Sequence, residues 1–261
     1  MSAHYECLAY AVQNRVATVR LNRPEVLNSL NTTLRRELVE AITITAQDPE
    51  VRVIVLTGTG RAFCTGADLS EKRGPDFLPQ FELEDEMLPA LLAIARAPKP
   101  VIAAVNGIVA GGGVGYMLAC DLVVMADTAS MLQPFVSIGM IPDAGATWHL
   151  LKQLGPKRAF DLMTNAEKLP AARCVELGIA NRVVPAADLM QEAQTWAESL
   201  AAKAPLALRY TKQALQDVAP LDLEQAIRYE SALQNRLVRS ADSKEGVRAF
   251  LEKRPPVFHG H

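Results

Sequence analysis

An apolar run that passes into clustered glycines, and then into a helical pattern, constrains this chain more than any other feature. Val101–Val105 is the apolar run, Gly111, Gly112 and Gly113 form the cluster, and residues 116–120 carry the helical pattern. Because glycine has no side chain, a ligand can approach the backbone closely, and the first N–H groups of a helix have no partner within it. The turn therefore predicts a site for an anion or a developing oxyanion, or a tight turn whose glycines serve packing alone.

The glycines match neither of two common phosphate-binding motifs. The sixth position counted from Gly111 is Tyr116, so the G-x-G-x-x-G pattern of dinucleotide-binding folds does not fit. The chain also lacks the G-x-x-x-x-G-K-[ST] pattern of nucleotide-binding loops. We therefore expect a ligand other than a pyrophosphate.

Composition excludes several classes of protein. With 261 residues, 49% of them apolar, the chain can form one large domain or one domain with a helical appendage. Its formal net charge of −2 argues against nucleic-acid binding, and no apolar run reaches the length of a membrane span. The four cysteines form no C-x-x-C pair and the four histidines show no metal-ligand spacing. We expect a soluble cytoplasmic protein without a metal.

Short apolar runs predict strands that alternate with helices. The strands are expected at 8–12, 16–21, 51–57, 101–105 and 122–125. The first two are joined through Gln13-Asn14-Arg15, which predicts a hairpin. Repeated alternation of strand and helix indicates an α/β core with mainly parallel strands.

Apolar residues three and four apart predict the helices. They cover residues 27–41 and 144–154, the latter ended by Gly155-Pro156, and most of the chain after residue 187. An acidic stretch at 70–86 is typical of a loop that enters a helix. We divide the chain into an α/β core, residues 1–186, and a helical C-terminal region, residues 187–261.

Six short motifs follow one another along nearly the whole chain. They are V-R-L-N-R-P at 19–24, R-A-F-C-T-G-A-D-L at 61–69, V-N-G-I-V-A-G-G-G at 105–113, C-D-L at 120–122, I-G-M-I-P at 138–142 and A-F-L-E-K-R at 249–254. In this order they resemble the enoyl-CoA hydratase/isomerase (crotonase) superfamily. The resemblance implies a spiral of ββα units whose helical C-terminal region forms a homotrimer or a dimer of trimers. It also implies an acyl-CoA substrate, with coenzyme A as part of that substrate and no separate cofactor.

The resemblance also implies an oxyanion hole made of two backbone N–H groups, here those of Ala67 and Gly112. Such donors stabilise the negative charge on the oxygen of a thioester enolate more than they stabilise the substrate. The other residues placed at the substrate by the motifs are Gly66, Asp68, Leu69, Gly111, Gly115, Phe135, Phe250 and Lys253. Of these, Phe250 and Lys253 match positions that meet the adenine and phosphate of coenzyme A from the adjacent subunit. Asp68 alternatively fixes its own loop.

The two glutamates that activate water in a hydratase of this family would align with Gly115 and Phe135. Neither residue is a carboxylate, so hydration by a glutamate pair is not expected. Gly115 is expected either to enlarge the acyl pocket, which would suit a bulky or cyclic acyl group, or to allow helix packing. Phe135 is expected to add an apolar wall.

One carboxylate remains near the pattern, that of Asp143. Family members with an aspartate here resemble isomerases that rearrange ring-derived CoA thioesters, and some double-bond isomerases. A single carboxylate suffices to move a proton between two carbons of an allylic system. Alternatively, Asp143 caps the helix predicted at Ala144, which would lower its pKa.

The sequence therefore predicts an acyl-CoA isomerase that uses Asp143, Ala67 and Gly112. Three other functions stay open at this point. They are an aryl-CoA dehalogenase-like enzyme with a nucleophilic aspartate, a weak enoyl-CoA hydratase, and a non-catalytic acyl-CoA binder.

Overall fold

A computed structural model describes residues 5–72 and 74–261, so His4 lies outside the described residues. The chain begins with the predicted hairpin, in which β1 (Leu8–Gln13) pairs antiparallel with β2 (Val16–Leu21). Asn14 and Arg15 connect them with φ values of 51° and 64°. Two left-handed residues give the turn the twist that the flanking strands require. The predicted hairpin is confirmed.

Within the described ranges, the hairpin belongs to a six-stranded sheet with the order β1-β2-β3-β5-β7-β10. Its later strands are β3 (Val53–Gly58), β5 (Val101–Val105), β7 (Leu122–Ala126) and β10 (Arg182–Val184). From β2 onward all neighbours in this sheet are parallel. Strands β3 and β5 are buried along their whole length, which explains why their sequences are continuous apolar runs. The prediction of mainly parallel strands is confirmed.

The described residues also form a sheet of four short strands with the order β4-β6-β8-β9. These strands are β4 (Ala62–Cys64), β6 (Ile108–Ala110), β8 (Ser130–Leu132) and β9 (Leu169–Pro170). The first three are parallel, and β9 pairs antiparallel with β8. No sequence pattern predicts these strands, because strands of two or three residues are too short to show a period.

The two sheets are linked by a repeated unit of two strands and a helix. Strands β3 and β4 precede the helical stretch that runs through α2 (Pro79–Phe81), a π-helical segment (Glu82–Met87) and α3 (Leu88–Ala95). Strands β5 and β6 precede α4 (Gly112–Ala119), and β7 and β8 precede α5 (Ala146–Asn165). Since β4 and β6 are parallel neighbours, the turns that follow them leave the sheet at the same edge.

Helices α1 and α5 differ in how well the sequence predicts their ends. Helix α1 (Thr32–Gln47) begins at Asn31, whose side chain accepts a hydrogen bond from the Leu34 N–H. Helix α5 begins at Ala146 rather than at residue 144. The expected stop at Gly155-Pro156 is confirmed, because Gly155 leaves the helical conformation with φ 73° and ψ 168°, and a second helical segment follows it as far as Asn165.

The C-terminal region is helical, as predicted. Its helices follow α6 (Ala171–Glu176) and are α7 (Leu189–Ala201), α8 (Pro205–Asp217), α9 (Leu223–Leu237) and α10 (Ala241–Glu252). Helix α7 buries Leu189, Ala193 and Ala197 and packs on strands β2, β3, β5 and β7. Across the described ranges 5–72 and 74–261, no helix combines the length and the apolar character that crossing a membrane would require.

Candidate active site

Two turns meet where β4 and β6 end. The first turn contains Gly66 and Ala67, and the second contains Gly111 and Gly112. A Cβ built on Gly66 would lie only 2.8 Å from the amide nitrogen of Gly112, so the turns are in direct contact. Gly66 has φ +86° and Gly111 has φ +54°, values that side chains disfavour. Glycine at these two positions allows both the turn geometry and the close approach.

The backbone N–H groups of these turns fall into two sets. Those of Asp68 and Gly111 each donate to a backbone carbonyl at 3.1 Å. Among the described residues, the N–H groups of Ala67 and Gly112 donate to no protein acceptor. Gly112 is the first residue of α4, where a helix leaves its N–H groups without an internal acceptor. Two neighbouring donors are thus free to bind one external oxygen, which is the arrangement an oxyanion hole requires.

Asp143 lies beside the second turn, in the loop before α5. A Cβ built on Gly112 would lie 3.3 Å from its Oδ1 atom. Within the described part of the chain, Oδ1 is buried and has no hydrogen-bond partner. The N-cap residue of α5 is Gly145, and in residues 5–72 and 74–261 no side chain caps this helix. The alternative in which the Asp143 side chain is a helix cap is therefore wrong.

The surroundings of Asp143 make it a stronger base than an exposed aspartate. Burial, followed by the negative charge of Glu82, raises the pKa of Asp143 from 3.8 to about 6. A carboxylate with this pKa is still largely ionised at neutral pH, yet it accepts a proton more readily than one near 4.

Phe135 forms an apolar wall next to the second turn. It begins a short 3-10 turn, Phe135–Ile138, and its side chain is buried. A Cβ built on Gly111 would lie 3.8 Å from the Cζ atom of its ring. The structure therefore brings Ala67, Gly112 and Asp143 to one place, with Phe135 next to it.

The sequence matches one family over nearly its whole length. Residues 11–261 match the model of the family described as "Enoyl-CoA hydratase/isomerase". The chain belongs to this family. The free N–H groups of Ala67 and Gly112 lie where the family motifs place its oxyanion hole.

Curated relatives of this hydratase/isomerase family member carry two kinds of name. It is 40% identical over 256 residues to a Rhodobacter capsulatus protein described as "Probable enoyl-CoA hydratase", covering 98% of this chain and 99% of that protein. It is 38% identical over 253 residues to the "1,2-epoxyphenylacetyl-CoA isomerase" of Escherichia coli, covering 95% of this chain and 97% of that protein. Family membership is therefore compatible with either reaction.

Solved structures of the family share this fold. An enoyl-CoA hydratase from Bacillus anthracis superimposes with a TM-score of 0.94 at 32% identity, covering 98% of this chain and 100% of that one. A Geobacillus kaustophilus structure described as subunit I of an enoyl-CoA hydratase gives 0.92 at 38% identity, covering 99% and 100%. The predicted crotonase-like α/β fold with a helical C-terminal region is confirmed.

Gly115, which the resemblance aligns with the first hydratase glutamate, has no room for a side chain. A Cβ built on Gly115 would lie 2.0 Å from the carbonyl oxygen of Ala144 and 2.8 Å from the Ala144 Cβ. The expectation that Gly115 enlarges the acyl pocket is wrong, because the backbone of residue 144 occupies the space beside it. Gly115 allows α4 to pack against the loop that carries Asp143.

The loop after Ala67 is fixed by Asp68. Its Oδ2 accepts a hydrogen bond from the Arg23 guanidinium at 2.9 Å, and its Oδ1 accepts bonds from the N–H and hydroxyl of Ser70. With both oxygens occupied and only 6% of the residue exposed, Asp68 fixes the loop and does not present a free carboxylate to substrate. Its placement among the substrate-binding residues is corrected accordingly.

The remaining motif residues lie on the surface. Leu69 is 68% exposed, just after the first turn. Phe250 is 82% exposed on α10, and Lys253 is exposed at the end of that helix. Their roles toward coenzyme A stay predictions.

A buried arginine that was not among the predicted site residues joins α1 to the acidic stretch. In the described part of the chain, Arg35 binds Glu71 at 3.0 Å, Glu82 at 3.1 Å and Glu86 at 2.7 Å. Only 2% of Arg35 is exposed. This cation binds residues on both sides of the acidic stretch to α1 and positions Glu82, the charge that acts on Asp143.

The sequence contains a pattern that indicates this cluster of Arg35 with its glutamates. Arg35 directly follows Leu34 and precedes Leu38 by three residues, so it lies within the apolar stripe of α1. A cation in such a stripe needs buried partners, and Glu82 and Glu86 are spaced four apart on one face of their helix.

Besides Asp143, three side chains carry buried polar atoms that no sequence pattern indicated. Over the described residues, the Thr59 hydroxyl oxygen, the Tyr116 Oη atom and both polar atoms of the Gln133 side chain are buried without a hydrogen-bond partner. Buried polar groups without partners are rare in proteins and call for an explanation. In the same part of the chain, no group of three or more His, Cys, Asp or Glu side chains could hold a metal ion.

Proposed function

We propose that this family member is an acyl-CoA isomerase in which one aspartate moves a proton between two carbons of the acyl group. One observation carries the proposal: the half-buried Asp143, whose Oδ1 is buried and whose pKa is about 6, lies beside Gly112, with Oδ1 3.3 Å from the position of a Cβ on that residue. The positions of the two hydratase glutamates hold Gly115 and Phe135 instead. We therefore assign acid–base catalysis at this site to Asp143.

The mechanism follows from this geometry. The N–H groups of Ala67 and Gly112 bind the thioester oxygen. Asp143 removes a proton from one carbon of the allylic system, the C–H electron pair moves into the conjugated system, and negative charge collects on that oxygen. Asp143 then returns the proton to the other carbon, so one double bond shifts and nothing is added or lost. The preorganised donors stabilise the dienolate more than the substrate, which lowers the barrier.

A raised pKa suits both halves of this cycle. Asp143 must be ionised to take the proton and must then release it again, so a pKa near 6 balances the two steps. Phe135 limits access of water to the dienolate from its side. The reaction needs no cofactor beyond the coenzyme A that the substrate carries.

The assembly and the coenzyme A contacts are part of the proposal. Large apolar side chains are more than half exposed on α8 to α10, including Leu215, Leu223, Val247 and Leu251. We propose that they are covered in a homotrimer or a dimer of trimers, in which Phe250 and Lys253 of one subunit meet the adenine and phosphate of a CoA bound to the next. Light scattering across a dilution series would detect a monomer and contradict this assembly.

The test is proton exchange and isomerisation of 3-enoyl-CoA and ring-derived CoA substrates in D₂O, with Asp143→Asn beside the wild type. Asp188→Asn, a change at an exposed aspartate, is the matched control. We expect Asp143→Asn to lose exchange and isomerisation while calorimetry shows unchanged acyl-CoA binding. Equal activity in Asp143→Asn and wild type would overturn the proposal.

Three further readouts separate the competing functions. Loss of crotonyl-CoA absorbance by the wild type would indicate a hydratase. Halide release from a haloaroyl-CoA, with an ester trapped on Asp143, would indicate a nucleophilic aspartate. Tight acyl-CoA binding with no turnover on any of these substrates would indicate a non-catalytic binder. Each of these results, without isomerisation, contradicts the proposal.

A further inference from the structure

A cavity of about 200 Å³ lies where the amino ends of β3 and β5 meet the start of α8. Arg52 directly precedes β3, Pro100 directly precedes β5, and Pro205 is the first residue of α8. Ala67 and Gly112 follow β4 and β6, strands that begin beyond the carboxyl ends of β3 and β5. Neither of these two residues lines the cavity, which is therefore separate from the candidate active site.

Among the described residues, the charged side chains that line this cavity are all cations. They are Arg52 and Lys99, which are half-buried, and Lys203 and Arg209, which are exposed. Within residues 5–72 and 74–261, none of the four forms an ion pair with a carboxylate. Because the whole chain has 29 acidic and 27 basic residues, composition does not explain a cavity with four cations and no acid. We call it the basic cavity.

The two half-buried cations of the basic cavity act on one another. Burial, together with the positive charge of Arg52, lowers the pKa of Lys99 from 10.5 to about 8, although Asp48 acts in the opposite direction. Burial and the charge of Arg15 likewise lower the pKa of Arg52, against the effect of two carboxylates. The carboxylates within reach therefore do not compensate for burial and like charge, and a bound anion would supply the missing negative charge.

Free N–H donors also lie at the basic cavity. The Nζ atom of Lys99 donates to the carbonyl oxygens of Thr45 and Asp48 at 2.7 and 2.5 Å, which leaves one of its three donors. The backbone N–H of Leu206, in the first turn of the 13-residue helix α8, donates to no acceptor among the described residues. An ammonium group, guanidinium groups and the first turn of a helix together form a donor set that suits phosphate oxygens.

We propose that the basic cavity is a phosphate-binding site, separate from the acyl-CoA site, that binds inorganic diphosphate or the diphosphate group of a small metabolite. Its volume suits such a group, because clefts for drug-sized ligands measure about 300–1,000 Å³. A guanidinium binds two phosphate oxygens at once and a lysine supplies a point charge, so two of each match an anion with several charges. The proposal concerns binding alone and does not depend on the reaction proposed for Asp143.

The first experiment is a calorimetric titration of the full chain with inorganic diphosphate at constant ionic strength. The test variant is Lys203→Gln/Arg209→Gln, in which both replaced side chains are exposed, so that the packing of the fold is unchanged. The matched control is Lys157→Gln/Arg236→Gln, which removes one exposed lysine and one exposed arginine outside the cavity. We expect the test variant to bind diphosphate about tenfold more weakly or worse, and the control to bind like the wild type.

Two results of this titration would overturn the proposal. One is the absence of binding by the wild type at millimolar diphosphate. The other is an equal affinity of the test variant and the matched control, because the cations of the cavity would then contribute no more than cations elsewhere on the surface.

A second measurement locates the bound anion. We expect the ¹H–¹⁵N signal of Leu206 to shift when diphosphate is added to the wild type, because its N–H lies at the cavity. Lys253→Gln tests whether the anion binds instead at the predicted contact with the phosphate of coenzyme A. We expect this variant to bind diphosphate like the wild type. Loss of binding in Lys253→Gln, with the Leu206 signal unmoved in the wild type, would overturn the proposal.

The source of the phosphate groups follows from a comparison of ADP with inorganic diphosphate, both followed at the Leu206 signal. Tighter binding of ADP would support an organic diphosphate whose remainder extends out of the cavity. Equal or weaker binding of ADP would support inorganic diphosphate. A Leu206 signal that responds to neither compound contradicts the site, whatever Asp143→Asn does to isomerisation.

Discussion

Gly115 approaches Ala144 so closely that a single added carbon would lie 2.0 Å from the Ala144 carbonyl oxygen. The contact joins α4, which supplies the Gly112 N–H, to the loop that carries Asp143. At this position, where the family resemblance predicts a glutamate in a hydratase, the backbone of residue 144 leaves no space for a side chain.

We expect Gly115→Ala to destabilise the fold by about 2 kcal/mol or more, because the new methyl group overlaps backbone atoms. Gly246→Ala is the matched control, since Gly246 is also helical but its Cβ would lie 3.6 Å from the nearest atom, a Phe258 ring carbon. That change should stabilise α10 by about 0.5–1 kcal/mol. Urea unfolding of both variants checks the pair, and equal midpoints for the two would contradict the packing argument.

Asp143→Asn should stabilise the protein at neutral pH. The folded-state pKa of Asp143, about 6, exceeds its ordinary value of 3.8, so the native state holds more protons than the unfolded state between these values. Its contribution to stability therefore falls as pH rises from about 4 to about 6. We expect Asp143→Asn to gain about 2 kcal/mol at pH 7.5 and almost nothing at pH 4. Denaturant unfolding at the two pH values, beside Asp188→Asn, measures this, and a gain that does not depend on pH would argue against it.

Glu82→Gln should extend activity to lower pH. Its negative charge is the second cause, after burial, of the raised pKa of Asp143, so its removal lowers that pKa. The acidic midpoint of the kcat/KM profile, near 6 in the wild type, should move down by about half a pH unit. Glu84→Gln, an exposed change in the same π-helical segment, should leave it in place. An unchanged or rising midpoint in Glu82→Gln would contradict the electrostatic coupling.

Arg35→Met should loosen the segment 71–86. The change leaves three carboxylates of that segment without the buried cation that holds them, at a cost of about 3–5 kcal/mol. Arg36→Met is the control, because the neighbouring side chain is exposed. We expect lower stability and faster tryptic cleavage after Lys72 in Arg35→Met only. Equal cleavage rates in both variants would show that this ion-pair cluster does not hold the segment.

The long elements of the fold could be predicted because each carries its own pattern. Strands β3 and β5 are buried over their full length, so their sequences are apolar apart from Thr57 and Gly58 at the end of β3. The stripe of α1 is likewise continuous, although the helix begins at Thr32, after its N-cap Asn31, and not at residue 27 as predicted. The second sheet could not be predicted, because its strands are too short to carry a pattern and form only by pairing with distant segments.

The candidate site, like the fold, could be predicted only in part from the sequence. The positions of Ala67, Gly112 and Asp143 follow from local motifs, and the structure brings them together. The second cause of the raised pKa of Asp143, after burial, does not follow from a local motif, since Glu82 is more than sixty residues away along the chain and is positioned by Arg35. Glycine is needed at position 115 because the backbone of residue 144 passes beside it. No local sequence pattern predicts that path of the backbone.

The two free donors come from the main chain, at the ends of the parallel neighbours β4 and β6. Parallel strands keep a spacing of about 4.8 Å whatever side chains they carry, so the sheet itself sets how far apart the two turns begin. Point substitutions in the acyl pocket can therefore add, move or delete proton-transfer groups while the anchor for the thioester oxygen stays where it is. An enzyme family built on such an anchor can exchange one reaction for another in a few substitutions. Each variant along the way still binds the substrate.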